Sequence, residues 1–355
     1  MAAVELGPID GIGILGAGCA FPARTLTNFE VLQHLPSEAR PRRQSETPDV
    51  DELNFLAEGA RQSLGLWSRA WVHQPGTPLD PLHEESTFEL AVRAAQAALD
   101  DAGLTANDVS LILCATSTPP RMTSTISAGI GFALGARAAC MDTRTGCSGG
   151  LFALSTAALF AQAGAGVALI VGTETFSKII PPASRLAQLS LGDGAGALVL
   201  GRKKGAALLS SFLESDGALG KLISTDGALP PTVSEIERGG FFLSGAPEEL
   251  LQVIPGKYEA AIGAALARAQ LGPDAIALYV PHQTSATLIV EVCRRVGIPI
   301  ERAFINVEKH ANIGSADWLV ALCEGRAAGR VRDGDSILLA AVGGGMSWAA
   351  AVLRW

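Results

Sequence analysis

The stretch that most constrains this chain is Met141-Asp-Thr-Arg-Thr-Gly-Cys147-Ser-Gly-Gly-Leu-Phe-Ala-Leu154. The apolar run Ala138 to Met141 reads as a strand, Gly146 as a tight turn, and the residues after Gly150 as a helix whose apolar face holds Leu151, Leu154, Ala158 and Ala161. That pattern sets a thiol at the start of a long apolar helix, where unpaired N–H groups and the helix dipole favour a thiolate. Glycines on both sides let a substrate carbonyl come close to the sulfur. The local reading is a cysteine nucleophile for acyl transfer. The same pattern also fits a buried structural cysteine, so a base and an oxyanion hole have to come from elsewhere in the chain.

Composition narrows the class. Only 17% of the 355 residues are charged and 5% are aromatic, while 48% are hydrophobic, as in a compact α/β enzyme. A net charge of -8 and the lack of a basic run argue against a nucleic-acid partner. No apolar stretch reaches membrane-spanning length and the N-terminus lacks a signal-peptide pattern, so the expected location is cytoplasmic. The six cysteines, at 19, 114, 140, 147, 293 and 323, have no metal-binding spacing and suit a reducing compartment. No metal is expected.

Along the chain, Gly11 to Gly18 begins a strand. Its G-x-G invites a dinucleotide reading, but Phe21-Pro22 continues as a loop where a helix should open. Asn28 to Leu35 is a short helix. Pro36 to Asp51, with Arg40, Arg42 and Arg43, reads as an exposed loop or insertion. Ser86 to Ala102 is a helix with a Ser86/Glu89 capping box. Strands follow at Val109 to Ala115, Val167 to Val171 and Leu191 to Leu200, the last ending in a charged turn, Arg202-Lys-Lys204. In the second half helices are expected at Pro255 to Gln270, Leu288 to Val296 and after Ser315. Strands are expected at Ala277 to Val280, Phe304 to Val307, Ser336 to Val342 and Ala349 to Leu353.

The halves resemble each other. Leu104 to Cys114 aligns without gaps on Leu271 to Pro281, and Ala94, Ala98, Leu99 and Ala102 fall over Ala261, Ala265, Leu266 and Ala269. The chain therefore reads as two similar α/β units, residues 1–203 carrying the cysteine and residues 204–355 the rest of the site. A site between such halves draws on both. His282, in the loop after a strand, and Asn312, before a helix, are the second-half candidates. Gly343-Gly344-Gly345 follows a buried strand and could present N–H groups to an oxyanion. Taken singly, these also fit an ordinary loop histidine, turn chemistry and a tight β-turn.

Thr145 to Leu154, Gly192 to Leu200, Val280-Pro-His-Gln283, His310-Ala-Asn312 and Gly343-Gly-Gly-Met-Ser-Trp-Ala349 together resemble the β-ketoacyl-acyl-carrier-protein synthase III family of thiolase-fold condensing enzymes. They occur in the family's order over nearly the whole chain. The resemblance implies a duplicated five-layer α/β/α/β/α thiolase fold, normally a homodimer. It implies an acyl-thioester on Cys147, an oxyanion hole from the N–H groups of Cys147 and Gly345, and decarboxylative condensation with a malonyl thioester held by His282 and Asn312. Gly343, Gly344 and Ser315 would line the substrate site, and Met122 falls where the family lends a residue to the partner's acyl tunnel. Coenzyme A or acyl-carrier-protein thioesters would be substrates, with no further cofactor.

The departures mark a specialised member of a fatty-acid or polyketide type of pathway. The family's early D-E-W segment is not recognisable, and after Pro-His-Gln the pattern Ala-Asn-Leu-Arg is replaced by Thr284-Ser-Ala-Thr287. Carrier docking would then fall to Arg40, Arg42, Arg43, Arg294 or Arg295. Asp317, close after Asn312, is an unusual acid. The alternative is a thiolase-fold acyltransferase that moves the acyl group from Cys147 to a hydroxyl or amine, with His282 as general base and no decarboxylation. Retention of Asn312 favours condensation. A non-catalytic binding subunit is the contrasting case.

Overall fold

The computed structural model describes residues 3–36, 39 and 50–355, so Arg40, Arg42 and Arg43 lie outside the described residues. The strands are β1 (Val4–Leu6), β2 (Ile9–Ala20), β3 (Thr25–Thr27), β4 (Ser68–Ala70), β5 (Val109–Ala115), β6 (Ala139–Thr143) and β7 (Val167–Thr175). They continue with β8 (Asp193–Ser215), β9 (Ile223–Thr225), β10 (Leu243–Gly245), β11 (Leu278–Pro281), β12 (Ser336–Gly343) and β13 (Ser347–Arg354). The helices are α1 (Asn28–Gln33), α2 (Val50–Leu64), α3 (Thr87–Ala102), α4 (Ile126–Leu134), α5 (Gly149–Gln162) and α6 (Arg185–Ser190). After them come α7 (Val233–Glu237), α8 (Pro247–Ala269), α9 (Ala286–Val296), α10 (Val307–His310) and α11 (Asp317–Ala327). No helix among the described residues is long and apolar enough to cross a membrane.

Alternation along the strands builds the layers. In β5, Leu111 and Leu113 face a central core that also holds Leu151 and Leu154 of α5 and Trp318, Leu319 and Leu322 of α11. Ile112 and Cys114 face the other way, onto α3 and α4. The second half repeats this. Ile337 and Leu339 of β12 join the central core, whereas Leu338 and Ala340 face α8 and α9. The sequence of layers is thus α3/α4, sheet, α5/α11, sheet, α8/α9, the expected α/β/α/β/α architecture. Strands buried on both faces read as continuous apolar runs, which is why β5, β7 and β12 were legible.

The halves share a strand pattern. β6-β5-β7-β8 run side by side, with β5 parallel to β6 and β7 and β8 antiparallel to β7. On the other side β11 is parallel to β12, and β13 is antiparallel to both β12 and β8. β8 belongs to both sets, so these strands form one path, β11-β12-β13-β8-β7-β5-β6, of a nine-stranded sheet in which β1 and β2 pair with β8 off the path. The expected charged turn at Arg202-Lys-Lys204 is instead the middle of β8, and the 203/204 division falls within that strand.

Three other expectations are corrected. α8 begins at Pro247, eight residues before Pro255, which lies inside the helix. Asp51 belongs to α2. Phe304 to Val307 forms no strand: Ala303 makes an isolated bridge to Tyr279, and α10 begins at Val307.

Glu174 near the end of β7 is fully buried and accepts from Ser117 N–H (2.9 Å), Thr118 Oγ1 (2.7 Å) and Ser315 Oγ (2.8 Å). Burial outweighs these hydrogen bonds and pushes its carboxyl up to about 7. The folded chain thus holds this proton more tightly than the unfolded one, where Glu titrates near ~4.3. The stability it contributes is full below that value and is lost as pH rises through about 7. Urea titrations of the wild type and Glu174→Gln should show the difference between them falling by about 2 kcal/mol from pH ~5 to ~7.5, to the wild type's disadvantage; a flat difference would contradict the assignment.

Candidate active site

Cys147 enters the site as expected from its surroundings. β6 ends at Thr143, Gly146 turns with φ +56°, and α5 begins at Gly149 with Ser148 as its N-cap. Ser148 Oγ donates to Thr145 O at 2.7 Å, which holds the turn. Gly150 is required by its neighbour: a Cβ there would lie 2.7 Å from Trp318 Nε1. The two central helices therefore meet near their N-termini, and the groups just before each one converge.

Asn312 precedes α11 as Cys147 precedes α5. Its amide N–H donates to Ser190 O (2.9 Å) and its carbonyl accepts from Gly192 N–H (2.9 Å). Its side-chain Oδ1 accepts from Gly314 N–H at 2.7 Å, leaving the Nδ2 amide as the donor end. Ala311 before it sits at φ 55°, ψ -163°, a region ordinarily reserved for glycine and costing on the order of 1–3 kcal/mol. The 189–191 segment is anchored in turn by β4 and the residue after it. Buried Arg69 donates through Nη2 to Asn28 Oδ1 (2.6 Å) and to Leu189 O, and Trp71 Nε1 donates to Leu191 O (2.9 Å). The sequence reading found Asn312 but not these supports.

His282 follows β11 and is 1% exposed. Its Nδ1 lies 2.6 Å from Oδ2 of Asp317, itself 2% exposed, and its ring also neighbours Cys147. Burial alone would lower the imidazole pKa, but the Asp317 carboxylate and the Cys147 sulfur outweigh it and raise it to about 10. Burial raises Asp317 as well, against the opposing pull of His282. The carboxylate accepts from the ring, so the proton is assigned to Nδ1.

A cavity of about 220 Å³ opens at Cys147, lined by Arg144, Phe176, Ile179, Leu191, Asn312 and Gly344, among others. Gly343 and Gly344 press against the cysteine turn. A Cβ on Gly343 would collide with Cys147 N and lie 2.7 Å from Ser148 N. Of the three glycines only Gly344 lines the cavity. Gly345, at φ +131°, has its carbonyl toward Gly220. Gly344, rather than Gly345, is thus the glycine of this run that borders the space beside Cys147.

One other expected residue lies elsewhere. Ser315 is fully buried, with its hydroxyl between Ala115 O (2.9 Å) and Glu174 Oε1 (2.8 Å), so it braces β5 and β7 and is not among the residues lining the Cys147 cavity. Met122, expected to serve a partner's acyl tunnel, is 68% exposed. Arg294 and Arg295 are occupied by Glu291 at 2.9 and 2.7 Å. His310 of the His-Ala-Asn motif bonds Glu324 at 2.7 Å and stacks on Phe21.

Gly343→Ala should leave a folded protein whose Cys147 acylates about 10²-fold more slowly, because a displacement of roughly 1 Å at the reacting centre costs that much. Intact-protein mass spectrometry against time would show it. Wild-type acylation rates would contradict the close approach.

Comparison with known proteins agrees with this geometry. The family profile described as 3-Oxoacyl-[acyl-carrier-protein (ACP)] synthase III matches residues 141–217, and its C-terminal counterpart matches residues 266–355. A β-ketoacyl-[acyl-carrier-protein] synthase III from Rhodospirillum rubrum is 38% identical over 354 residues, covering 96% of this chain and 98% of its own. One from Rhodobacter capsulatus is 37% identical, covering 76% of this chain and 85% of its own. Among solved structures, the 3-oxoacyl-[acyl-carrier-protein] synthase III of Aquifex aeolicus superposes with a TM-score of 0.83 at 27% identity, covering 97% of this chain and 100% of that one. The priming β-ketosynthase of the R1128 polyketide pathway superposes with a TM-score of 0.82 at 25% identity, covering 96% and 95%. This chain belongs to the 3-oxoacyl-[acyl-carrier-protein] synthase III family of condensing enzymes.

Proposed function

We propose that the chain carries an acyl group on Cys147 and condenses it with a malonyl thioester to give a β-ketoacyl thioester. The observation that carries this reading is that Cys147 before α5 and Asn312 before α11 line one cavity, with His282 after β11 buried beside Cys147. The donor of the acyl group would be an acyl-coenzyme A or an acyl carrier protein. The second half of the chain would work as a donor pair for the malonyl thioester, in a fatty-acid or polyketide type of pathway and as a homodimer of the kind usual for the family.

The steps follow from the chemistry of the groups. Cys147 sulfur attacks the acyl thioester carbonyl, the tetrahedral oxyanion is held by the N–H groups of Cys147 and Gly344, and the donor thiol leaves with a proton from His282. With its pKa raised to about 10, His282 regains a proton from solvent, and the malonyl thioester then enters with its carbonyl oxygen facing His282 Nε2–H and Asn312 Nδ2. Loss of CO2 leaves the electron pair of the broken C–C bond on the α-carbon as an enolate. Two fixed donors in a dry site stabilise that charge far better than water-exposed groups would. The α-carbon attacks the acyl carbonyl, and the C–S bond to Cys147 breaks.

Cys147→Ala should abolish the acyl-enzyme adduct on exposure to acyl-coenzyme A. Asn312→Ala should still acylate but lose condensation and CO2 release by about 10²–10³-fold, the usual cost of removing one such donor. Equal loss of acylation in both variants would contradict the division of roles.

A further inference from the structure

Condensation needs His282 as a hydrogen-bond donor and asks nothing of a carboxylate behind it. Yet Asp317 is there, buried, 2.6 Å from Nδ1, and wholly enclosed at the first residue of α11. A buried acid without a task would be a costly choice for that position, since an apolar or hydroxyl side chain avoids the desolvation of a charge. The arrangement of Cys147, His282 and Asp317 is that of a nucleophile, a base and a group that orients the base. We propose that Asp317 is a positioning residue that sets His282 as a general base, and that the site transfers the Cys147-bound acyl group to a hydroxyl or amine acceptor, or to water. This rests on the acyl-Cys147 step of the proposed function but not on decarboxylation.

The tautomer decides the chemistry. With Asp317 accepting from Nδ1–H, a neutral His282 can present only a lone pair at Nε2, on the side of Cys147. His282 becomes neutral when it gives its proton to the thiol that leaves on acylation. The neutral ring is then a poor donor to a malonyl oxygen and a good base toward an O–H or N–H. The acceptor oxygen or nitrogen attacks the acyl carbonyl as its proton passes to Nε2. The tetrahedral intermediate collapses, the new C–O or C–N bond remains and the C–S bond breaks. The proton on Nε2 returns to Cys147 sulfur, so nothing else is consumed. Asp317 stays ionised throughout and steadies the imidazolium that forms transiently.

The titratable groups facing His282 are few. Besides Asp317 and Cys147, the buried phenol of Tyr258 on α8 lies within electrostatic range of both. Burial, helped by Asp317 and Cys147, raises it far above its ordinary value, so it stays neutral across the working range. The pH dependence of transfer therefore reports His282.

The test starts from the full chain acylated with acetyl-, isobutyryl- or octanoyl-coenzyme A. Adducts are followed by intact-protein mass spectrometry. Each acyl-enzyme is then offered malonyl-coenzyme A in one arm and, in the other, water alone, butan-1-ol or butylamine. Transfer to these acceptors without CO2 release is the expected result, rising with pH as the imidazolium loses its proton. Asp317→Asn should still acylate, which reports that it is folded. It should lose transfer by about 10²–10⁴-fold, with the inflection of its pH profile moved to lower pH because the carboxylate no longer supports the imidazolium. Its condensation activity should fall by a smaller factor than its transfer activity, since the donor pair still includes Asn312 Nδ2. Condensation with no transfer in the wild type would overturn the proposal and leave the condensing function standing. Transfer with no condensation would do the reverse. An Asp317→Asn enzyme that transfers at the wild-type rate would also overturn it, and failure of every acyl donor to modify Cys147 would overturn both.

Discussion

The contact on which the site depends is the buried hydrogen bond between His282 Nδ1 and Asp317 Oδ2, at 2.6 Å. It ties the end of β11 to the first turn of α11, two elements 35 residues apart in sequence. Both partners are excluded from water, so losing one would leave the other as an uncompensated polar or charged group, which costs far more than a surface pair would. The bond also fixes which ring nitrogen faces Cys147. In this way one interaction serves both as a structural clamp and as a choice of tautomer.

The surrounding fold supports that geometry through close approach of small residues. Gly150 admits the Trp318 ring, a Cβ on Gly172 would run into Ser315 O and the Leu319 side chain, and one on Gly196 would run into Leu319 Cβ and Val320 N. The central helices can therefore lie tightly between the two sets of strands, with Trp318, Leu319 and Leu322 packed among Leu151, Leu154 and the inward residues of β5, β7, β11 and β12. Neither half completes the site alone. The first half gives the nucleophile and the second half gives the groups that receive and stabilise charge, while Gly343 and Gly344 reach back across to the cysteine turn.

Much of this was legible in the sequence, and the reasons for the rest are physical. Cys147, His282 and Asn312 announce themselves because each sits at the junction of a strand or turn with a helix, a pattern local residues can report. Asp317 was visible as an odd acid, but its partner was not, because helix and strand are brought together only by tertiary packing. Ser315 read as a substrate contact from its place beside Asn312. The structure instead turns its hydroxyl inward to Ala115 and Glu174, satisfying a buried carboxyl that no local pattern reveals. Gly345 and Gly344 cannot be told apart in a run of three glycines; only the fold shows that Gly344 lines the cavity. The charged Arg202-Lys-Lys204 looked like a turn because charge was taken as exposure at a chain reversal, whereas it is the partly exposed middle of a long strand that both halves share.

The central claim is that a carboxylate holds the proton on His282 Nδ1, so that Nε2 faces the thiol. Nitrogen-15 NMR of the histidine-labelled enzyme, with His282→Gln as the assignment control, measures this directly. The account predicts that Nδ1 of His282 keeps its proton before and after acylation of Cys147, and that the same resonance shifts in Asp317→Asn. A neutral His282 with its proton on Nε2 and a bare Nδ1 would contradict it.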